Sequence, residues 1–254
     1  MLFFLISEFQ NIKHIVVNDV NSNLTDAYLV VRQSPCELIK ELKHIENEYI
    51  ALKFEASRKD YYLARRAQFN SKKQSRVENT ALLLFLNRTC FNGLYRENAK
   101  GQFNVPFGRY VNPQICNEFL IMADSEALNR CELTVLTGDF ERVGEMVDPD
   151  ALNFIYFDPP YRPLSSTSSF NAYVKEAFND DSQRRLAQFF RSLDVRGNCQ
   201  LMLSNADCSA KNPSDTFFEN LYQGYRIQRV TASRSVNAVA SKRGKITELL
   251  ITNY

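Results

Sequence analysis

The sequence predicts an α/β fold built on a mostly parallel sheet, and three apolar runs that stop at acidic residues carry that expectation. Lys13-His14-Ile15-Val16-Val17-Asn18-Asp19, Leu133-Thr134-Val135-Leu136-Thr137-Gly138-Asp139-Phe140 and Asn153-Phe154-Ile155-Tyr156-Phe157-Asp158 each read as a strand. Helical patterns separate them, as crossover helices separate parallel strands. In open sheets of this kind ligands bind just beyond the carboxyl ends of the strands. Taken singly, a strand that ends in Asp is as readily a turn or a helix cap.

The third run carries the most chemistry because it continues into Asp158-Pro159-Pro160-Tyr161. Four apolar residues read as a buried parallel strand covered on both faces. The prolines end it, since neither donates to a ladder and each forces the preceding residue into an extended conformation. Asp158 therefore stands on a stiff loop. Its carboxylate and the Pro159 carbonyl are two acceptors a short distance apart, matched to the two hydrogens of an amino group on a planar ring. Holding that amine aims its lone pair, and Tyr161 offers a flat face for stacking. The four-residue string arises by chance in roughly one chain of this length per thousand, so a plain turn is the weaker account.

A chain of 254 residues suits one large α/β domain carrying an insertion. Its six cysteines are scattered, with no Cys-x-x-Cys pair, which points to reduced thiols in the cytoplasm. With His14 and His44 as its only histidines, the chain is not expected to hold a metal or a His-based nucleophile triad. The apolar start Met1–Ser7 is too short to span a membrane and lacks a basic leader; it reads as the tail of a core helix. The net charge of +2 hides an asymmetry. Residues 61–110 hold nine Lys/Arg against Glu78 and Glu97, a net +7, while the rest of the chain is acidic. Charge gathered in one segment is the footprint of phosphate contacts, or else a solvated basic face.

Ser34-Pro35-Cys36-Glu37 predicts a helix start, with Ser34 as N-cap and Glu37 as capping-box partner. Leu38, Leu42, Ile45, Tyr49 and Leu52 follow as one buried stripe. Residues 59–76 read as basic helix plus loop, and 81–86 as an apolar helix. Residues 88–110 are rich in aromatics, Asn and Gly, and Lys100-Gly101 turns between two short extended runs, so a hairpin is expected. Exposed Asn, Arg and aromatic side chains there suit base-edge contacts and insertion into a stack; a surface hairpin with an aromatic cluster has the same composition. Asp139 and Phe140 suit a purine's amine and face. Residues 181–195 read as a helix with Leu186, Phe189, Phe190 and Leu193 inward, 200–205 as a buried strand, and 226–232 with 247–254 as a closing strand pair. Between these last lies a basic loop, Ser241-Lys242-Arg243-Gly244-Lys245, suited to phosphate. No internal repeat or long linker interrupts the chain.

Together these motifs resemble the Dam-type adenine-specific DNA methyltransferases, the enzymes that methylate adenine in GATC. The resemblance rests on Phe91-Asn92-Gly93-Leu94-Tyr95-Arg96, on Phe103-Asn104-Val105-Pro106-Phe107-Gly108-Arg109-Tyr110, on Asp158 to Tyr161, and on Arg243-Gly244-Lys245 through Thr252-Asn253-Tyr254. It implies a methyltransferase-type, Rossmann-like sheet from residues 1–54 and 111–254, with a target-recognition domain inserted at 55–110. It implies that Asp158, Pro159 and Tyr161 hold a flipped-out adenine while its amine attacks the methyl of S-adenosylmethionine. It assigns Asp19 to the cofactor ribose, and Asp139 and Phe140 to the cofactor adenine, with Asp158 beside the cofactor. Arg96 matches a guanine-reading arginine, and Phe91 and Asn92 match residues that wedge the stack beside the flipped base. Pro106 and Arg109 fall in the second half of the reading element, and Lys100 suits a phosphate contact. The implied partners are double-stranded DNA and a cognate restriction endonuclease.

The sequence departs from the family at its front. Family members begin with an aromatic-x-Gly-Gly-Lys segment followed by a strand and a Phe-x-Gly-x-Gly loop that binds the methionine part of the cofactor. Here Gly93 is the first glycine, and Met1-Leu2-Phe3-Phe4 matches the family just after that loop. The expectation is a chain without the first cofactor-binding strand and loop, with impaired cofactor binding and little or no turnover. Two other readings share the residues: a DNA-binding remnant without catalysis, and an RNA or protein amine methyltransferase, against which the hairpin argues.

Overall fold

In the computed structural model, which describes residues 2–163, 178–233 and 245–254, the chain forms two units, Met1–Val143 and Gly144–Tyr254. The first unit opens with α1 (Leu2–Glu8) and β1 (His14–Asp19). A helical block follows: α2 (Ser22–Gln33), α3 (Pro35–Ala51), α4 (Glu55–Ser71) and α5 (Arg76–Thr89). After the segment 90–117 come α6 (Glu118–Asn129) and β2 (Glu132–Thr137). β1 and β2 are parallel and in register from His14 beside Glu132 to Asp19 beside Thr137, so both strands deliver their acidic ends to the same edge.

Two apolar cores hold this unit. Ile6, Ile15, Leu128 and Leu133 pack α1 and α6 against the strand pair, as expected for an apolar start that belongs to a core helix. The larger core is helical. The α3 stripe of Leu38, Leu42, Ile45 and Tyr49 meets Tyr62 and Phe69 of α4 and Leu82, Phe85 and Leu86 of α5. Tyr49, Tyr61, Tyr62 and Phe85 contact one another mainly edge to face, a geometry that adds roughly 0.5–1.5 kcal/mol per pair beyond burial. Leu52, expected in the stripe, is instead the half-buried C-cap residue of α3.

One capping expectation is corrected. Ser34 precedes α3, but its side chain makes no cap hydrogen bond, because its backbone is turned away from the extended conformation that caps need. Its position is also the C-cap of α2, whose Val30 carbonyl takes the Ser34 amide at 2.8 Å. The capping box forms at α5: Ser75 Oγ accepts from the Glu78 amide at 3.3 Å, and Glu78 Oε2 accepts from the Ser75 amide at 2.9 Å.

The second unit contains β3 (Asn153–Phe157), α7 (Asp180–Asp194), β4 (Cys199–Ala206), α8 (Phe217–Leu221), β5 (Arg226–Ser233) and β6 (Lys245–Thr252). Its sheet runs β3-β4-β6-β5, with β3 and β4 parallel and the other two pairings antiparallel. The closing strand pair is thus where the sequence placed it. α7 turns Leu186, Ala187, Phe190 and Leu193 inward, and Phe190 packs on Phe157 and Tyr222; Phe189 is half-buried against Phe157. The expectation that β3 is covered on both faces is corrected. Phe154 is 42% exposed, so solvent reaches one face of β3, which among the described residues is also an edge of its sheet, whereas β4, flanked on both sides, is nearly continuous core. Of the basic loop 241–245, residues 241–244 lie outside the described residues, and Lys245 opens β6 rather than standing in a loop.

Candidate functional site

β3 ends where the reading of the sequence put it, and the structure shows how the loop behind it is held. Asp158 is exposed, and its Oδ1 accepts from Ser204 Oγ at 3.1 Å. The Pro160 carbonyl accepts from Gln183 Nε2 at 3.1 Å, and the Arg162 amide donates to Asn205 Oδ1 at 3.1 Å. Asn205 Nδ2 in turn donates to Gln183 Oε1 at 3.3 Å. Gln183 and Asn205 are both fully buried, so this amide pair forms a rigid strut between α7, β4 and the loop. The Arg162 side chain adds a second anchor: it pairs with Asp180 and Asp215 and lies 4.4 Å above the Phe217 ring. Those contacts hold the guanidinium more strongly protonated than usual, led by its hydrogen bond to Asp180.

These bonds leave a defined remainder. Among the described residues none donates to the Pro159 carbonyl or to Asp158 Oδ2. Within that set, two acceptors from adjacent residues stand without a donor. Tyr161 Oη donates to Glu248 Oε2 at 3.2 Å, which fixes its ring. Burial is the main cause that pushes the Tyr161 hydroxyl up to about 12, so it stays a donor at neutral pH. Ser204, Asn205, Gln183, Arg162 and Glu248 were not singled out by sequence reasoning. Only Ser204-Asn205, at the end of an apolar strand, carried a signal, since polar residues there face the functional edge.

The first unit brings Asp19, Asp139 and Phe140 together at the carboxyl ends of β1 and β2. The Asp19 carbonyl takes the Gly138 amide at 3.0 Å, and Asp19 Oδ1 takes the Asn21 amide at 2.7 Å. Asp139 Oδ1 accepts from the Glu141 amide at 3.0 Å, opening the 3-10 turn that begins at Phe140. Asn18, another residue without a sequence signal, ties the two ends: its Nδ2 donates to the carbonyls of Gly138 and Asp139, both at 3.2 Å. Its Oδ1 is buried with no partner among the described residues. Gly138 has φ +139°, a conformation other residues rarely adopt, which lets the chain pass from β2 into this corner.

The predicted hairpin is also present in the first unit. Bridges join Cys90 to Phe107 and Glu97 to Phe103, and the Gly101 amide closes the turn on the Asn98 carbonyl at 2.9 Å. It sits on a rigid base. Asn70 holds both backbone groups of Phe103, at 2.8 and 3.0 Å, while Tyr62 and Arg66 both donate to the Val105 carbonyl. Gly108 is required by space: a Cβ there would meet the Cys90 carbonyl oxygen at 2.5 Å. From this base Phe91, Arg96, Lys100, Pro106 and Arg109 are exposed. Asn92 stands in the left-handed region at φ 54°, which Asn tolerates better than most residues. Arg96 is aimed by Asn104, whose Oδ1 accepts from Nε at 2.7 Å and whose carbonyl accepts from the guanidinium at 3.3 Å. Arg109 lies 3.6 Å from Glu55. The basic charge of 61–110 is partly structural, since Arg65 pairs with Glu48, Arg76 with Asp26, and Arg66 holds the hairpin.

An acceptor pair at a strand end, a second acidic strand edge and an arginine-bearing hairpin are what an amine-directed DNA-modifying enzyme needs, and comparisons with known proteins agree. The model of the D12 class of N6 adenine-specific DNA methyltransferases matches residues 3–236. The type II methyltransferase M.MjaIII of Methanocaldococcus jannaschii is 44% identical, covering 100% of this chain and 84% of that protein. M1.LlaDCHI, a type II methyltransferase of Lactococcus lactis subsp. cremoris, is 42% identical over 94% of the chain and 79% of its own length. A DNA adenine methylase of Haemophilus influenzae is 32% identical, over 94% of the chain and 78% of its own length. With the family model matched over residues 3–236 and near full-length similarity to these relatives, the chain belongs to the D12 class of N6 adenine-specific DNA methyltransferases.

Proposed function

We propose that the target is adenine in GATC within double-stranded DNA, that Asp158, Pro159 and Tyr161 hold the extruded base, and that residues 55–110 read the duplex. The open acceptor pair at the end of β3 carries this reading. Asp158 Oδ2 and the Pro159 carbonyl each accept one hydrogen of the adenine amine, leaving its lone pair directed away from both. Tyr161 stacks on the ring, its own hydroxyl held by Glu248. As the new carbon–nitrogen bond forms and the methyl donor's carbon–sulfur bond breaks to leave a neutral thioether, the amine becomes cationic, and the Asp158 carboxylate stabilises that charge until the surplus proton passes to solvent. On the hairpin, Arg96 presents the guanidinium edge that Asn104 leaves free to guanine O6 and N7. Phe91, Asn92 and Pro106 meet the stack, while Lys100 and Arg109 meet phosphate.

Methyltransferases of this class draw the methyl group from S-adenosylmethionine, which supplies the electrophilic carbon. The residues at the ends of β1 and β2 fit its adenosine half. Asp19, Asp139 and the orphaned Asn18 oxygen are all acceptors, suited to ribose hydroxyls and a purine amine, and Phe140 offers a face. The type II names of two relatives extend the proposal to a cytoplasmic restriction-modification pair with a nuclease of the same target; among the described residues no helix is long and apolar enough to cross a membrane. Incubating the chain with methyl-labelled cofactor and GATC or scrambled duplexes tests the proposal. Label in the N6-methyladenine of GATC alone supports it, and equal label in scrambled duplexes, or label on another base, overturns it.

A further inference from the structure

The proposed role of Asp158 depends on one of its two oxygens facing the amine, and the strand register explains how that is arranged. β3 and β4 are parallel with Phe157 beside Leu203, so the next residues, Asp158 and Ser204, adjoin at the strand ends. Side chains two apart share a face, which places Tyr156 on the same side as Asp158. The three polar groups are linked: Ser204 Oγ lies 3.1 Å from Asp158 Oδ1 and 2.9 Å from Tyr156 Oη. A carboxylate only accepts, and a serine hydroxyl has one hydrogen. Ser204 therefore donates to Asp158, and Tyr156 must donate to Ser204. The direction of the chain is set by chemistry: Tyr156 fixes the serine hydroxyl, and the hydroxyl fixes one carboxylate oxygen. Asp158 is exposed, while Ser204 is buried at 7% exposure, so the orientation comes from below, and a carboxylate without this bond would rotate in solvent.

We infer that Ser204, locked by Tyr156, is a positioning residue that commits Asp158 Oδ1 and so presents Oδ2 alone to the substrate amine. The inference rests on the proposed role of Asp158. A misplacement of about 1 Å in a reacting group lowers rates about 100-fold, and loss of one hydrogen bond to a carboxylate is a milder fault, so Ser204→Ala is expected to lower single-turnover methyl transfer about tenfold or more while KM for DNA stays near the wild-type value. Tyr156→Phe, which removes a single oxygen, gives a smaller fall in the same direction. Because Tyr156 acts through Ser204, adding Tyr156→Phe to Ser204→Ala costs nothing further. Asp158→Ala run in parallel separates the two claims. If Asp158→Ala transfers methyl at the wild-type rate, the role of Asp158 itself is wrong. If Asp158→Ala is inactive while Ser204→Ala keeps the full rate, the positioning inference alone is overturned. Where the wild-type rate lies below detection, crystals of wild type and Ser204→Ala decide: Asp158 in one conformer in wild type and rotated or split in the variant supports the inference, and an unmoved carboxylate overturns it.

Discussion

Asp158 and Arg96 are both exposed side chains whose rotation is removed by a single polar neighbour. Ser204 holds the first and Asn104 the second, at 3.1 and 2.7 Å. Each then has a free edge of fixed direction, which is what recognition by hydrogen bonds demands. Asp158→Ala should abolish methyl transfer and leave DNA binding largely unchanged, as read by labelled-methyl incorporation beside a gel shift. Asp158→Asn should retain a small part of the rate, since an amide oxygen is the weaker acceptor. Arg96→Ala should reduce discrimination at one guanine by ~1–3 kcal/mol; equal loss of affinity for GATC and scrambled duplexes would refute base reading. At this scale the sequence marked the candidate side chains, because Asp-Pro-Pro-Tyr and the Asn- and Arg-bearing runs are local strings. It did not show their neighbours. Ser204 lies 46 residues from Asp158 in the chain and meets it only through strand pairing, and Asn18 looked like one more strand residue.

The elements were legible to the extent that their signals were periodic. The α3 stripe, the three acid-ended strands and the closing strand pair all follow from spacing. β3 was misread as covered on both faces because an apolar run does not say which of its faces solvent reaches. Capping was misplaced for a related reason. Ser34-x-x-Glu37 and Ser75-x-x-Glu78 are equivalent as strings, but Ser34 is shared between two helices and its backbone cannot serve as a cap. Ser75→Ala should therefore cost about 1 kcal/mol in denaturant unfolding, and Ser34→Ala much less. The Glu78 carboxyl is held below its ordinary value, first by its bond from the Ser75 amide. The folded value being the lower one, the stabilisation is complete at neutral pH and is lost as pH falls through the folded value. Glu78→Gln should accordingly be less stable than wild type at neutral pH and indistinguishable from it in strong acid. On the hairpin, Lys100→Ala should weaken binding to every duplex alike and lessen its salt dependence by about one phosphate contact; a sequence-selective loss would argue against that role.

For the whole molecule, the sequence placed both halves of the chemistry within one family, and the comparisons put the chain in that family. The two sheets, β1-β2 and β3-β4-β6-β5, carry acidic strand ends that suit the adenosine half of the cofactor and the target amine respectively. The central claim, transfer to adenine N6 through the Asp158 acceptor pair, is tested most directly by long incubation of wild type and Asp158→Ala with labelled cofactor and a GATC duplex, followed by nucleoside analysis. Labelled N6-methyladenine is expected from wild type and none from Asp158→Ala. Equal label from both proteins, or label on a base other than adenine, would contradict it.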